Sequence, residues 1–464
     1  MEALREAYSK YLGIAVDYAW GMPLIILLIG GGLILMFHSR LLPLTGFIHS
    51  IKLITGKFHH SSDEKAPGQI THFQALTNAL SATIGLGNIS GVAVAIQQGG
   101  AGAIFWMWVV ALIGMNTKFF ECTLSVMYRG KDHLGEVQGG PMYVIKSALD
   151  KKYHFLAYMF AVCGLIGTMA MFQSNQLAVY VTDNYSMVSD TMDPMFVGIF
   201  CAAIVAVVAK GGVKSIAAAT SRVVPFMCVF YVFFALLIIF LNVGKVPGIF
   251  SAIFTQAIGW NALAGGIEGA VLAKVLQIGV KRAAFSNEAG MGTAAMAHSN
   301  VKTSEPISEG YVAMMGPFLD TIIVCTLTAL VILSSVDASD LANAKLGGIL
   351  LTTKAFESSL PNFGSHFLGI AIFLFSITTM IGMVNYNEKC WNFLFRGKKY
   401  FGRDTLLILF CTSLIVGSVS EAGDVVNLLD LGFALMAIPN MIATILLAGK
   451  VKEALGIYRS KYLA

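Results

Sequence analysis

Charge is scarce in this sequence. Only 12% of its 464 residues are Asp, Glu, Lys or Arg, about half the roughly 25% of an ordinary soluble chain. So little charge excludes a set of water-solvated domains and leaves enough only for short loops between buried helices. Catalytic signatures are missing as well: there is no His-Glu-x-x-His and no nucleophile elbow. The seven cysteines (Cys122, Cys163, Cys201, Cys228, Cys325, Cys390 and Cys411) each fall in or at the end of a different apolar run. No pair has metal-ligand spacing and no disulfide framework is visible, so they read as small apolar packers. Residues 1–18 are mixed in charge and form no basic leader, so the apolar run after them reads as a true first helix. The formal charge of +5 lies in loops and not on one amphipathic face, which excludes nucleic acid as a partner.

What is present is hydrophobic length. Apolar residues make up 56% of the chain, and 47 glycines suit closely packed membrane helices. Crossing a bilayer takes about 20 apolar residues. The sequence predicts an all-α membrane protein with eleven spans: 19–38, 70–97, 101–128, 155–182, 194–210, 215–242, 278–300, 306–333, 367–388, 404–421 and 424–449. The stretch 247–277 is interrupted by Gly259, Gly265, Gly266 and Gly269. It reads as a surface or re-entrant helix, or as the lead-in to the seventh span.

Basic residues cluster in alternate loops. Arg40, Lys52, Lys57 and Lys65 follow span 1; Arg129, Lys131, Lys146, Lys151 and Lys152 follow span 3; Lys210, Lys214 and Arg222 lie around the turn after span 5; Lys389, Arg396, Lys398, Lys399 and Arg403 follow span 9. Lys450, Lys452, Arg459 and Lys461 mark the tail, whereas loop 183–193 has three aspartates and no base. The positive-inside rule then puts the N-terminus outside and the C-terminus in the cytoplasm of a cell inner membrane. Lys245, Lys274, Lys281 and Arg282, in a stretch assigned outside, run against this pattern.

Two spans carry a Gly-x-Gly core flanked by polar side chains. Span 2 reads Ser81-Ala-Thr-Ile-Gly-Leu-Gly-Asn88-Ile-Ser-Gly91, and span 7 reads Phe285-Ser-Asn-Glu-Ala-Gly-Met-Gly-Thr293. Glycine costs about 1 kcal/mol against alanine inside a helix, and backbone freed in hydrocarbon must face a cavity or a ligand. Spans 2 and 7 are five apart and therefore run in opposite directions, the mark of an inverted repeat. Spans 2–6 and 7–11 are the expected halves, with span 1 peripheral. The corresponding division is 1–69 for the N-terminal segment, 70–242 and 243–449 for the two repeats, and 450–464 for a cytoplasmic tail. At each break one half-helix offers free N–H groups, suited to a carboxylate, and the other free C=O groups, suited to an ammonium group or Na⁺.

Other polar residues lie within the spans. Glu288 at mid-span suits a substrate ammonium, a cation or a proton, or pairs with Lys281 or Arg282. Gln173 and Gln176 share a helix face and either line a pocket or bridge to another helix. Thr378 and Thr379 present adjacent hydroxyls, either for Na⁺ or bonded back to their own helix. Asp320 reads as a coupling acid or a network member. Lys118 and Glu121 read as a snorkelling pair, His298 as an end-of-helix polar residue, and Phe285 as one wall of a small site.

The segments THFQALTNALSATIGLGNISGVAVAIQQGGAGAIFWMWVVALIGMNTKFFECTLSVMYR and GVKRAAFSNEAGMGTAAMAHS, with GGPMYVI, FLDTIIVCTLTAL and the Thr-Thr segment of span 9, resemble the alanine/glycine:cation symporter family over nearly the whole chain. The resemblance implies a LeuT-type fold of five plus five inverted helices with one extra N-terminal helix. It implies Na⁺-coupled uptake of a small neutral amino acid such as alanine or glycine, with Na⁺ as co-transported ion and no other cofactor, by a monomer. It places Thr83, Ile84, Gly85, Gly87 and Asn88 at the substrate, with Gln173 facing them from span 4, where Gln176 stands at a commonly small position, and Phe285, Asn287 and Glu288 from span 7. By analogy with LeuT-type transporters, Na⁺ is expected between the carbonyls of Ser81 and Ile84 and the hydroxyls of Thr378 and Thr379. A proton-coupled symporter, and a channel or sensor using the same cavity, are the competing readings.

Overall fold

The computed structural model describes residues 2–58, 66–131, 135–184, 193–258, 267–341, 343, 347–395 and 401–463. Lys65, Gly259, Gly265, Gly266, Arg396, Lys398, Lys399 and most of the acidic 183–193 loop lie outside the described residues. The chain is almost entirely helical. In order, the helices used below are α1 (Glu2–Ala19), α2 (Met22–Ser39), α3 (Phe47–Ile54), α4 (His72–Thr83), α5 (Ser90–Gly99), α6 (Gly102–Met127), α7 (Pro141–Ala148), α8 (His154–Gly167), α9 (Met171–Asn184), α10 (Pro194–Lys210) and α11 (Gly212–Leu241). They continue with α12 (Val246–Ile258), α13 (Ile267–Asn287), α14 (Thr293–His298), α15 (Pro306–Ala313), α16 (Thr326–Ser335), α17 (Ile349–Ser359), α18 (Gly364–Phe395), α19 (Arg403–Val419), α20 (Ala422–Leu446) and α21 (Ala448–Tyr462). A short hairpin pairs β1 (Gly130–Lys131) with β2 (Val137–Gln138).

By length and apolarity, seven helices among the described residues can cross a membrane, or eight if the bent pair α4–α5 is one span. That pair turns through 58° at its break. Large apolar side chains such as Phe226, Val229, Phe233 and Phe240 on α11 are exposed, as a lipid-facing surface requires. Starts are set locally. Thr71 and Gln74 form a reciprocal capping box at α4, satisfying two N–H groups that a helix N-terminus leaves open. Asp193 caps α10 through the Met195 N–H, with Pro194 at the first position.

The structure adds detail to the expected elements. The 247–277 stretch divides: α12 is a separate helix, and residues from Ile267 onward already belong to the seventh span. Residues 2–19 form a helix packed on α20, and most of the 450–464 tail is the helix α21. Span 4 is broken at Thr168–Ala170 between α8 and α9. Span 8 contains a π-helical stretch, Phe318–Cys325, between α15 and α16.

At one end of the molecule the two Gly-x-Gly spans are tied together. Ile70 and Val301 form a parallel bridge. Glu309 on α15 takes hydrogen bonds from both His72 at the start of α4 and His298 at the end of α14. Arg129, just past α6, donates to the carbonyls of Pro67, Ser299, Val301 and Thr303. Four separate chain segments thus share one hydrogen-bonded knot, and His298 is a member of it.

Candidate functional site

Both Gly-x-Gly spans come undone. α4 stops at Thr83, the chain extends through Ile84 and Gly85, makes one 3-10 turn at Leu86–Asn88, and resumes as α5. A Cβ at Gly85 would lie 2.5 Å from the Thr379 hydroxyl, so a side chain there would drive α18 away. In the seventh span α13 stops at Asn287. Glu288 (φ 55), Gly290 (φ 86) and Gly292 (φ 79) all take left-handed backbone before α14 starts. Glycine accepts that conformation freely, whereas Glu288 holds it at a cost of about 1–2 kcal/mol. Such strain is kept where the surroundings over-determine it.

The open backbone is served by side chains. Asn88 Oδ1 accepts the Gly85 N–H at 3.0 Å, and Asn287 Oδ1 accepts the Ala289 N–H at 3.0 Å. The same two amides reach the π-helical stretch: Asn88 Nδ2 donates to the Asp320 carboxylate and Asn287 Nδ2 to the Thr321 hydroxyl at 3.0 Å. Ser286 and Thr321 add hydrogen bonds to Asp320 at 2.8 and 2.9 Å. Asp320 is therefore the network member of its two readings, bracing one break against the other. The extra residue of a π turn re-aims a side chain within a helix, and here it carries Asp320.

A narrow chamber lies between the breaks. Thr83, Gly85 and Gly87 wall one side, Phe285 and Glu288 another, and Gln173 a third. Six residues not singled out in the sequence complete it: Ala82, Gly167, Met169, Met383, Leu429 and Phe433. The only signal for the third break is Gly164 and Gly167 near Thr168, too common in a membrane helix to read. Phe285 meets Phe172 and Phe433 edge-on, at centroid distances of 5.6 and 5.7 Å; Phe285 and Phe433 line the chamber and Phe172 packs against Phe285 outside it. Glu288 lies within it, buried, and accepts the Thr293 hydroxyl at 2.5 Å.

The other expected site residues sit around the chamber. Ile84, Asn88 and Asn287 shape the breaks without facing it. Gln176 accepts the Ser90 hydroxyl at 3.0 Å and donates to Asn175, so it bridges α9 to α5. Gln173, on the same face, makes no hydrogen bond to any described residue and looks into the chamber.

The two threonines of α18 divide. Thr379 Oγ1 donates to the Ser81 carbonyl at 2.9 Å, joining α18 to the end of α4. The Ile84 carbonyl, just past the helix end, accepts no hydrogen bond among the described residues. Thr378 Oγ1 instead donates to the Leu374 carbonyl at 2.8 Å and lies 3.3 Å from Met227 Sδ. The structure joins Thr379 to Ser81, beside the break that Ile84 opens, and turns Thr378 away.

Electrostatics sets the sign of the interior. Lys118 does not snorkel; it is buried in α6, and its charge acts on Glu121, Glu288 and Asp320, all buried. Glu121 accepts the Asn440 amide at 2.8 Å, and that amide also donates to the Gly290 carbonyl of the second break. Three buried carboxylates face one ammonium, and a carboxylate buried without its own cation is either protonated or neutralised by a bound one. Lys281 and Arg282 do not supply that cation, because they face Asp430 of α20, Lys281 at 2.7 Å and Arg282 at 4.0 Å. Among the described residues no cluster of His, Cys, Asp and Glu has the arrangement of a metal centre.

The model of the sodium:alanine symporter family matches residues 5–463. The sodium/alanine symporter AgcS of Methanococcus maripaludis is 38% identical over 440 residues, covering 94% of each chain. The probable sodium/glutamine symporter GlnT of Bacillus subtilis is 34% identical over 458 residues, 98% of this chain and 91% of that one. Among solved structures, MhsT in complex with L-phenylalanine superposes with a TM-score of 0.57 at 14% identity, over 84% of this chain and 99% of that one. That likeness concerns the fold.

Proposed function

The chain belongs to the sodium:alanine symporter family, a family of multi-pass membrane transporters and not of enzymes, and on that footing we propose that it carries a small neutral amino acid across the membrane together with Na⁺, by alternating access. The observation that supports this best is the pair of unwound backbones facing one narrow chamber lined by a single carboxylate, Glu288. The substrate ammonium pairs with Glu288 and the carbonyl side of the breaks. Its carboxylate takes backbone N–H groups, since neither α5 nor α14 is capped by a side chain. Gln173 supplies a further polar contact, and Phe285 closes the site. A narrow chamber walled by Phe285 and Phe433 favours a small side chain such as that of alanine or glycine.

Na⁺ binds at the Ser81 and Ile84 carbonyls and the Thr379 hydroxyl, hard oxygen ligands for a hard cation. It fixes the end of α4 against α18 and so shapes the substrate site. The arrangement is five plus five inverted spans, 70–242 and 243–449, behind one peripheral span, eleven in all. The knot of His72, Glu309, His298 and Arg129 lies at the cytoplasmic end of a cell inner membrane, the N-terminus lies outside, and the unit is a monomer.

Counterflow in liposomes, with labelled small amino acids and Na⁺ present or absent, tests the proposal. Exchange of alanine or glycine only with Na⁺ supports it. Exchange at full rate without Na⁺ across a pH gradient favours proton coupling through Glu288, and unsaturable flux favours a channel.

A further inference from the structure

The packing of α4 on α18 continues beyond the ion site. Gly85 sits against Thr379, and Gly382 is so close to α4 that a Cβ there would lie 3.0 Å from the Ala82 N–H. The helices therefore run antiparallel in this register, and one turn on from Ser81 and Gly382 come Asn78 and Asn385. Residues three or four apart share a helix face, so both amides belong to the stripes along which the helices meet. Tyr386 follows Gly382 by four residues.

Asn78 and Asn385 are fully buried, and among the described residues neither the oxygen nor the nitrogen of either amide has a hydrogen-bond partner. The Tyr386 hydroxyl and one oxygen of Glu121 have no partner among the described residues either. Each such group is destabilising against a paired one, and buried polar atoms in folded proteins are otherwise almost all paired. Two bare amides in one interhelical seam, a turn from a cluster of oxygen ligands, are what a passing hydrated cation needs: carbonyl oxygens for the ion and N–H groups for its waters.

We propose that the Asn78–Asn385 seam, with the Tyr386 hydroxyl, is the leg of the route by which a partly hydrated monovalent cation passes between Ser81–Thr379 and the end of the protein held by His72 and Glu309. The inference rests on the Na⁺ reading of the Ser81–Thr379 site. While α4 and α18 are in contact the seam is shut. When they part, the amides replace the ligands the ion leaves behind, and the ion gains water step by step.

The test uses the full chain with Asn78→Leu and Asn385→Leu, near-isosteric apolar replacements, read by three measurements. Na⁺-dependent equilibrium binding of labelled alanine stays within about two-fold of wild type, Na⁺-driven uptake into liposomes falls about ten-fold or more, and the melting temperature holds or rises because unpaired polar atoms are gone. Uptake at the wild-type rate in both variants overturns the proposal. So does parallel loss of binding and melting temperature, which makes the amides structural. If wild type itself binds substrate independently of Na⁺, the reading of the site fails first, and this is seen before any variant is compared. A smaller change, Asn385→Cys, covers a leucine variant that does not fold. A small cationic thiol reagent modifies it above the wild-type background without Na⁺, and about five-fold more slowly with Na⁺ and alanine; no modification in either condition overturns the proposal.

Discussion

Lys281 and Asp430 meet at 2.7 Å, one helical turn from Phe285 and Phe433, whose rings roof the chamber at 5.7 Å. Lys281 precedes Phe285 by four residues on α13 and Asp430 precedes Phe433 by three on α20, so ion pair and ring pair stack as two layers over the same opening. The Asp430 carboxylate is fully buried, whereas the Lys281 side chain keeps 19% of its exposure. The Trp20 indole donates to the Asp430 carbonyl at 3.0 Å and pins α20 beside α1.

Asp430→Asn leaves two cations facing no carboxylate. Breaking a buried pair is costly, and partial exposure of Lys281 reduces the loss to about 1–3 kcal/mol. The melting temperature falls, and bound substrate escapes faster because one of the two layers is weakened. Thermal melts with a dissociation time course check both. A variant that melts earlier but releases substrate at the wild-type rate shows the pair to be packing alone.

The brace between the breaks gives a graded series. Asp320→Ala removes the acceptor shared by Asn88, Ser286 and Thr321. It leaves three buried donors with only longer contacts, Asn88 to Ser286 at 3.3 Å and Ser286 to Thr321 at 3.4 Å, for a loss of about 2–4 kcal/mol. Ser286→Ala removes one donor and costs about 1 kcal/mol. Melting curves with and without substrate rank the two, and equal effects contradict the assigned role of Asp320.

Glu288→Gln keeps shape and the Thr293 hydrogen bond but removes the charge in the chamber. A charge-assisted contact to an ammonium group is worth about 1.5–3 kcal/mol, so alanine affinity falls about ten- to hundred-fold. Equilibrium binding at saturating Na⁺ measures it. Unchanged affinity excludes Glu288 as the ammonium partner.

The threonines of α18 separate in the same assay. Thr379→Ala removes the hydroxyl beside Ser81 and raises the Na⁺ concentration needed for half-maximal binding about ten-fold or more. Thr378→Ala removes a hydroxyl bonded to Leu374 and shifts it by less than about three-fold. The reverse order contradicts the ion site drawn here.

The sequence made the membrane class legible through hydrophobic length, and the two breaks legible because Gly-x-Gly beside Asn and Glu is expensive inside a bilayer. It placed Thr83, Gly85, Gly87, Gln173, Phe285 and Glu288 around what proves to be one chamber. What it could not show depends on partners distant in the chain. The choice between Thr378 and Thr379 is a matter of helix rotation against Ser81, some 300 residues away. Lys281 and Arg282 look surplus until Asp430 arrives from α20. Gln176 shares a face with Gln173 and still turns to Ser90. The π turn that aims Asp320, and the third break with Met169, have no compositional mark strong enough to read.

Reciprocal equilibrium binding tests the central claim most directly: labelled alanine titrated onto the purified chain at several Na⁺ concentrations, and labelled Na⁺ at several alanine concentrations. If ion and substrate share the site built by the two unwound spans, each tightens the other by one and the same factor. If either titration is indifferent to the other ligand, the account is wrong.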